Sequence, residues 1–358
     1  AEDIFRRNQN INIVIGPQSI HKLADLYTNF LNSKQQQIDI SFPEIEKFDN
    51  LPQETSAQPS AYVSIMEGCN QYCSYCIVPY TRGEEISRPY VDVIKEAQHL
   101  ASIGAKEIIL LGQNVNAYLG KLPNEELANL SLLIQGISKI DNIERIRFTT
   151  SHPAAFDQTL IEAYALESKL CNHLHLPVQS GSNRILKAMK RDYTKEQFIT
   201  ITEELRKIRP NLPISTDIIV GFPGETEADF LETMDLVNTV NFDQSFSFIY
   251  SARPGTPAAE IDDPTPLSEK KARLHALQAL LLSNAQKISS AMVGKTHKVL
   301  VEAKSKRHQH ECTGRTENNR VVNFPGGDRL IGHIIDIHIT SMKKHTLYGE
   351  LASITEHA

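Results

Sequence analysis

Three cysteines stand within eight residues, in the run Glu67-Gly68-Cys69-Asn70-Gln71-Tyr72-Cys73-Ser74-Tyr75-Cys76. The C-x3-C-x2-C spacing puts Cys69, Cys73 and Cys76 on one short loop. Soft thiolates of this kind bind iron–sulfur clusters or zinc. Three of them can hold three irons of a [4Fe-4S] cluster and leave the fourth iron without a protein ligand. The amino and carboxylate groups of S-adenosylmethionine (SAM) can chelate that iron. Its sulfonium then lies beside a one-electron donor, and C–S cleavage releases a 5′-deoxyadenosyl radical. Structural zinc is the competing use. Zinc needs a fourth ligand, for which Cys171, Cys312 or a histidine remain. Cys171 and Cys312 lie in no ligand spacing, and each reads as a packed thiol. An odd count of five cysteines is no disulfide framework and suits a reducing cytoplasm.

The elements that must position this loop are legible as alternation. Short apolar runs predict strands at Tyr62–Met66, Glu107–Leu111, Arg145–Thr149, His173–Pro177, Ser215–Val220 and Ser245–Tyr250. Between them lie helical patterns at Val91–Ile103, Leu130–Ile140, Phe156–Leu166, Lys195–Ile208 and Glu227–Val240. Six βα units imply parallel strands with right-handed crossovers, here an α/β fold built as an open, partial (β/α)6 barrel. Each strand runs into polar or Gly-rich sequence, and the C-terminal face of such barrels is where sites form. At that face Tyr75 offers an aromatic platform for the SAM adenine. Gln113, Ser151, Gln179 and Asp217 can each hydrogen-bond a polar ligand, and His152, His173 and His175 suit ordinary hydrogen bonding.

The flanks differ in character. Asn12–Pro17 reads as strand and turn, Ile20–Leu31 as helix, and residues 33–60, rich in Gln, Pro, Ser and charge, as a linker. A long helix from Leu267 to about Met292 ends the barrel. Strands are then predicted at Lys298–Ala303, Arg320–Asn323, Ile331–Ile339 and Leu347–Leu351, a small antiparallel, OB-like barrel of a kind that binds RNA. Residues 291–358 hold 10 Lys+Arg against 7 Asp+Glu, so the net charge of −6 divides into +3 there and −9 before it. A basic module on an acidic body points to a polyanion, with Lys304, Lys306, Arg307, Arg315 and Arg320 as candidate phosphate contacts. No apolar run approaches the roughly 18 residues of a membrane span. The charged start Ala1–Arg7 shows no signal peptide, so a cytoplasmic protein is expected.

Longer motifs carry a resemblance. Tyr62–Gly83, Leu111-Gly112-Gln113-Asn114-Val115-Asn116, Arg147–Pro153, Leu174–Ser182, Asp217–Thr226, Ser251–Ala258 and Gly314–Arg320 together resemble the MiaB-type methylthiotransferases of the radical SAM family. The likeness covers essentially the whole chain. It implies a remnant of an N-terminal methylthiotransferase domain (1–38), a linker (39–57), a radical SAM core (58–290) and a C-terminal TRAM RNA-binding barrel (291–354). The implied reaction is 2-methylthiolation of N6-isopentenyladenosine at position 37 of tRNA, beside the anticodon. One SAM methylates a sulfur and another yields the radical that an unactivated aromatic C–H demands. The implied partners are tRNA and a flavodoxin-type electron donor, with the sulfur donor unspecified. The family carries a second cluster on three further cysteines, and none precedes Cys69 here. The resemblance therefore predicts one cluster in this chain, and SAM cleavage without completed methylthiolation. The alternatives are a sister enzyme acting on a ribosomal protein and a catalytically silent RNA-binding protein. Val63–Cys69, the Tyr80-Thr81-Arg82-Gly83 run and the basic C-terminal region favour tRNA.

Overall fold

A computed structural model describes residues 2–41, 48, 55–56, 58–306, 308, 310–344 and 346–352. Most of the expected linker, and Arg307, lie outside the described residues. The N-terminal part opens with a short helix, Glu2–Arg7. Strand Ile13–Ile15 follows, then a 3-10 turn Pro17–Lys22 and helix Leu23–Ser33. A second strand, Gln37–Asp39, pairs in parallel with Ile13–Ile15. It falls inside the stretch read as linker. Its side chains are Gln, Ile and Asp, so its strand character comes from the ladder and from Asp39, which accepts from Ser19 Oγ (2.9 Å) and Ser41 N (3.0 Å).

The core is built from six parallel strands. They are β1 (Ser60–Ser64), β2 (Glu107–Leu111), β3 (Arg145–Phe148), β4 (Leu174–His175), β5 in two pieces (Ile214–Ser215 and Asp217–Val220) and β6 (Phe246–Ile249). β1–β2, β2–β3, β4–β5 and β5–β6 pair in parallel, and a parallel bridge, Ile146 to Leu170, joins β3 to the approach of β4. Among the described residues β6 does not pair with β1, so the arc stays open.

The crossover helices are α1 (Tyr90–Ser102), α2 (Leu130–Ser138), α3 (Gln158–Leu166), α4 (Lys195–Ile208) and α5 (Glu227–Val240), with α6 (Leu267–Ser290) closing the set. Period-2 alternation explains the packing. Ala61, Val63, Ile108, Leu110, Ile146, Phe148, Leu174 and Val220 face the helices in one apolar core. Each such large side chain contributes about 1.5–3 kcal/mol. The starts of α4 and α5 follow from capping boxes, Thr194 with Gln197 and Thr226 with Asp229. α3 starts later than periodicity suggests, because Asp157 accepts from Leu160 N (2.9 Å) and so caps it.

The C-terminal module is a closed barrel of β7 (Thr296–Lys304), β8 (Glu311–Thr316), β9 (Val321–Pro325), β10 (Ile334–Met342) and β11 (Leu347–Leu351), in the order β7-β8-β9-β11-β10. The β9–β11 seam is parallel and the others antiparallel. Sequence reading yields four of these strands and misses β8. The β8 alternation is real, but its inward positions are Cys312, Gly314 and Thr316, which carry no large apolar group.

The barrel seats on the core through arginines. Arg145 donates to the carbonyls of Arg315 and Lys298 (both 2.9 Å), and Arg147 to that of Glu317 (2.9 Å). Among the described residues, no helix is long and apolar enough to cross a membrane.

Candidate active site

The cysteine loop leaves the C-terminal end of β1. It is closed at its base by a two-residue antiparallel ladder between Met66–Glu67 and Ile86–Ser87. Gly68 turns the chain at φ +81°, where a Cβ would stand 2.0 Å from the Glu84 carbonyl oxygen. Only glycine fits that approach. The Gly68 N–H donates to Gln113 Oε1 (2.7 Å), which ties the loop to the end of β2. Ser74 ties it elsewhere. Its N–H and Oγ donate to Met189 and Ala188 carbonyls (3.0 and 2.8 Å), and its carbonyl accepts from Ala258 N (2.8 Å).

Cys73 lies close enough to Cys69 and Cys76 to raise the proton affinity of both. Burial pushes the Cys69 thiol up to about 11, with Cys73 and Cys76 adding to the rise and the Gln71 N–H opposing it. Burial also raises Cys76, against the Val78 N–H and Arg191. These backbone N–H groups and the guanidinium are the partners a thiolate needs, so a bound metal would displace protons from ready-made acceptors. Cys73, 7% exposed, accepts from Arg191 Nη1 at 3.5 Å.

Arg191 is buried, donates to the Pro177 carbonyl (2.8 Å) and Tyr193 Oη (3.0 Å), and lies 5.2 Å from the Tyr193 ring centroid. The His152 ring meets the other side of the network, edge-on to Tyr193 at 5.6 Å. Burial holds the His152 imidazole down at about 3, with Arg191 adding to the shift, so it is neutral.

Several buried polar atoms at the strand ends have no protein partner: Ser151 Oγ, His152 Nε2, Asn114 Oδ1 and Tyr250 Oη. Buried polar groups seek partners, so this mouth suits a ligand rich in donors and acceptors. Among the described residues no three His, Cys, Asp or Glu converge as they would on one metal ion. A single zinc draws its ligands to within about 2.3 Å of one point. A cluster takes its thiolates at separate corners. Three thiols on one loop suit three corners of a cluster, and the unpartnered polar atoms beside them suit SAM.

Comparison with known proteins is decisive. Residues 63–237 match the Radical SAM superfamily model, and residues 290–352 match the TRAM domain. A tRNA-2-methylthio-N(6)-dimethylallyladenosine synthase of Francisella tularensis subsp. holarctica is 57% identical over 351 residues, covering 98% of this chain and 79% of that one. The chain belongs to that family. A Legionella pneumophila protein of the same name is 56% identical, over 98% of this chain and 78% of its own. Coproporphyrinogen III oxidase (HemN) from Escherichia coli superposes with a TM-score of 0.47 at 17% identity, over 77% of this chain and 71% of that one.

Within this synthase family member the sequence-predicted residues scatter instructively. Tyr75 packs against the small apolar cluster of Ile185, Met189, Phe222 and Ala258 beside the thiols. Gln113 spends its carbonyl oxygen on Gly68, so it positions the loop. Ser151 presents its unpartnered Oγ. Gln179 sits at φ +69°, its backbone spliced between Asp217 and Ile219. The Asp217 carboxylate faces His175 Nε2 at 3.5 Å.

On the TRAM side Lys304 pairs with Asp328 (2.8 Å), Lys306 is exposed, and Arg315 pairs with Glu302 (3.4 Å). Arg320 needs correction as a phosphate contact. It is 2% exposed and pairs with Asp243, also 2% exposed, through bonds of 2.7 and 2.5 Å. It clamps the barrel to the core. Sequence reading missed Arg191, 118 residues from Cys73, because nothing local marks a side chain that folds back across β4.

Proposed function

We propose that this chain is a radical SAM methylthiotransferase acting on N6-dimethylallyladenosine in tRNA, with Cys69, Cys73 and Cys76 as the protein ligands of one [4Fe-4S] cluster. The carrying observation is the thiol loop at the mouth of the parallel arc, with Cys69 and Cys76 both raised by the nearby Cys73 and Arg191 donating to Cys73. We place the radical SAM core at 58–290 and the TRAM barrel at 291–354, after an N-terminal segment (1–38) and a linker (39–57).

When bound and reduced, the cluster supplies one electron to the SAM sulfonium and hence a radical able to take hydrogen from an aromatic C–H. The chain's own groups do the rest. Gly68 and Gln113 fix the loop, while Ser151 and the strand-end backbone meet the polar parts of SAM. Tyr75 and its apolar neighbours keep water from the thiols. Neutral His152 packs against the Arg191–Tyr193 pair without adding charge. Gln179 and Asp217 are assigned to the deeper wall, and Lys304, Lys306 and Arg315 to the RNA. A one-electron donor of the flavodoxin type feeds the cluster; with no cysteine ahead of Cys69 to hold the family's second cluster, this chain alone cleaves SAM without completing methylthiolation. Relatives named for a tRNA reaction favour RNA over a ribosomal protein as substrate.

The test is anaerobic reconstitution with iron and sulfide, followed by dithionite and SAM. Roughly one cluster per chain and release of 5′-deoxyadenosine are expected, and Cys73→Ala should abolish both. Zinc without acid-labile sulfide, or undiminished SAM cleavage by Cys73→Ala, would overturn the assignment.

A further inference from the structure

The concave face of the arc carries side chains that the cluster chemistry leaves unused. Its middle is polar. His175 shares hydrogen bonds with Ser215 Oγ (2.9 Å) and lies 3.5 Å from Asp217. Its two edges are aromatic. Tyr62 on β1 is 64% exposed, and Phe246 and Phe248 on β6 are 61% and 56% exposed. Alternation fixes their side. Ala61 and Val63 are buried against the helices, which turns Tyr62 inward. Phe246 meets the His175 ring edge-on at 6.3 Å, and Phe248 shares its face.

β1 and β6 are the two edge strands of the open arc, so one ring stands on one lip of the seam and two on the other. Beside β6 a cavity of about 500 Å³ runs along the strand, lined by Phe246, Phe248, Gln278, Leu282 and Gln286, with Lys344 reaching in from the barrel. Lys343 lies next to it, its ammonium 4.6 Å from the Tyr348 ring centroid.

Exposed rings beside cations are the chemistry of single-stranded nucleic acid, in which bases stack and phosphates pair with lysines. Three large rings left bare on a concave surface mark a binding site. A base within a stack cannot bring its ring carbon to a reagent at the mouth of a barrel, so it must leave the stack. We propose that the seam admits one extruded purine nucleoside of an RNA strand, with Phe246 and Phe248 covering the base and its apolar N6 substituent and Lys344 on a flanking phosphate. The proposal rests on the methylthiotransferase reading and adds the groups that recognise its substrate. His175 and Asp217 face the same space with a donor and an acceptor for the ring heteroatoms.

The test uses cluster-loaded protein and two anticodon stem-loop RNAs, identical except for adenosine or N6-dimethylallyladenosine at one position. Binding is read by fluorescence anisotropy under anaerobic conditions. Wild type should prefer the prenylated RNA. Phe246→Ala and Phe248→Ala should each weaken that complex roughly 5- to 100-fold and shrink the preference. A Phe246→Leu/Phe248→Leu variant, apolar but unable to stack, should regain part of the preference. Lys344→Gln should weaken both RNAs alike and flatten the salt dependence by about one ion.

If wild type prefers the prenylated RNA and Phe246→Ala and Phe248→Ala each bind it equally well, the seam proposal falls and the tRNA reading stands. If wild type binds neither RNA, both fall. If the alanine variants change only the sedimentation of the protein, the aromatic surface belongs to a second copy and the proposal is wrong.

Discussion

Replacing Arg320 by Ala should loosen the C-terminal barrel from the core. Arg320 and Asp243 are each 2% exposed and share two short hydrogen bonds. Arg320 Nε also donates to Ser289 Oγ (2.9 Å) and Nη2 to the Ala285 carbonyl (3.3 Å). Alanine therefore leaves a buried carboxylate without its cation and Ser289 Oγ without its donor, while the Ala285 carbonyl keeps the bond from Ser289 Oγ (2.9 Å). Removing one partner of such a pair costs roughly 3–5 kcal/mol, while removing both costs much less.

Urea denaturation of Arg320→Ala, Asp243→Ala and the double variant measures the coupling. The double variant should be more stable than the Arg320→Ala single. Limited proteolysis should cut the single variant faster between α6 and β7. A phosphate-contacting arginine behaves differently. Its loss leaves stability unchanged and lowers the salt slope of RNA binding by about one. Unchanged melting, additive single variants and a reduced slope together would refute the clamp.

Three further outcomes follow from the site. Gly68→Ala forces a Cβ to within 2.0 Å of the Glu84 carbonyl oxygen at φ +81°, so the loop must move. Iron and sulfide content should fall steeply, and full cluster loading would count against the tight turn. Arg191→Met removes a positive donor from Cys73 Sγ. The cluster's reduction potential, followed by electron paramagnetic resonance, should become more negative at equal iron content. His152 is 5% exposed and stays neutral down to about pH 3, whereas in the unfolded chain it takes a proton near 6.5. Its contribution is therefore full above pH 6.5 and lost as pH falls, at about 1.4 kcal/mol per unit. Denaturation midpoints at pH 7.5 and 5.0 should differ less in His152→Gln than in wild type.

Local signals are legible in the sequence where one element carries its own pattern. The ranges of α4 and α5 are predicted to the residue, because Thr194 with Gln197 and Thr226 with Asp229 mark their starts. Thiol spacing and strand-end polarity marked the mouth of the arc. What stayed hidden depends on partners distant in sequence. β8 carries glycine at its inward position 314 because a Cβ there would meet the Leu300 carbonyl oxygen at 2.3 Å, and that constraint lives on β7. Arg320 reads as one more surface cation until Asp243 is brought beside it. Gln37–Asp39 is strand only because Ile13–Ile15 offers it a ladder. Gln113 looked like a ligand contact, but its oxygen already holds Gly68.

The seating of the barrel has a consequence for how the two halves can diverge. Arg145 and Arg147 grip main-chain oxygens of Lys298, Arg315 and Glu317, and a peptide carbonyl is the same whichever side chain hangs from it. The outer surface of the module can thus be recharged or reshaped, residue by residue, without loosening those three attachments. A chimera that grafts a foreign five-stranded module keeping the Asp243 contact should dock in the same pose, carrying a different RNA preference to an unchanged catalytic half.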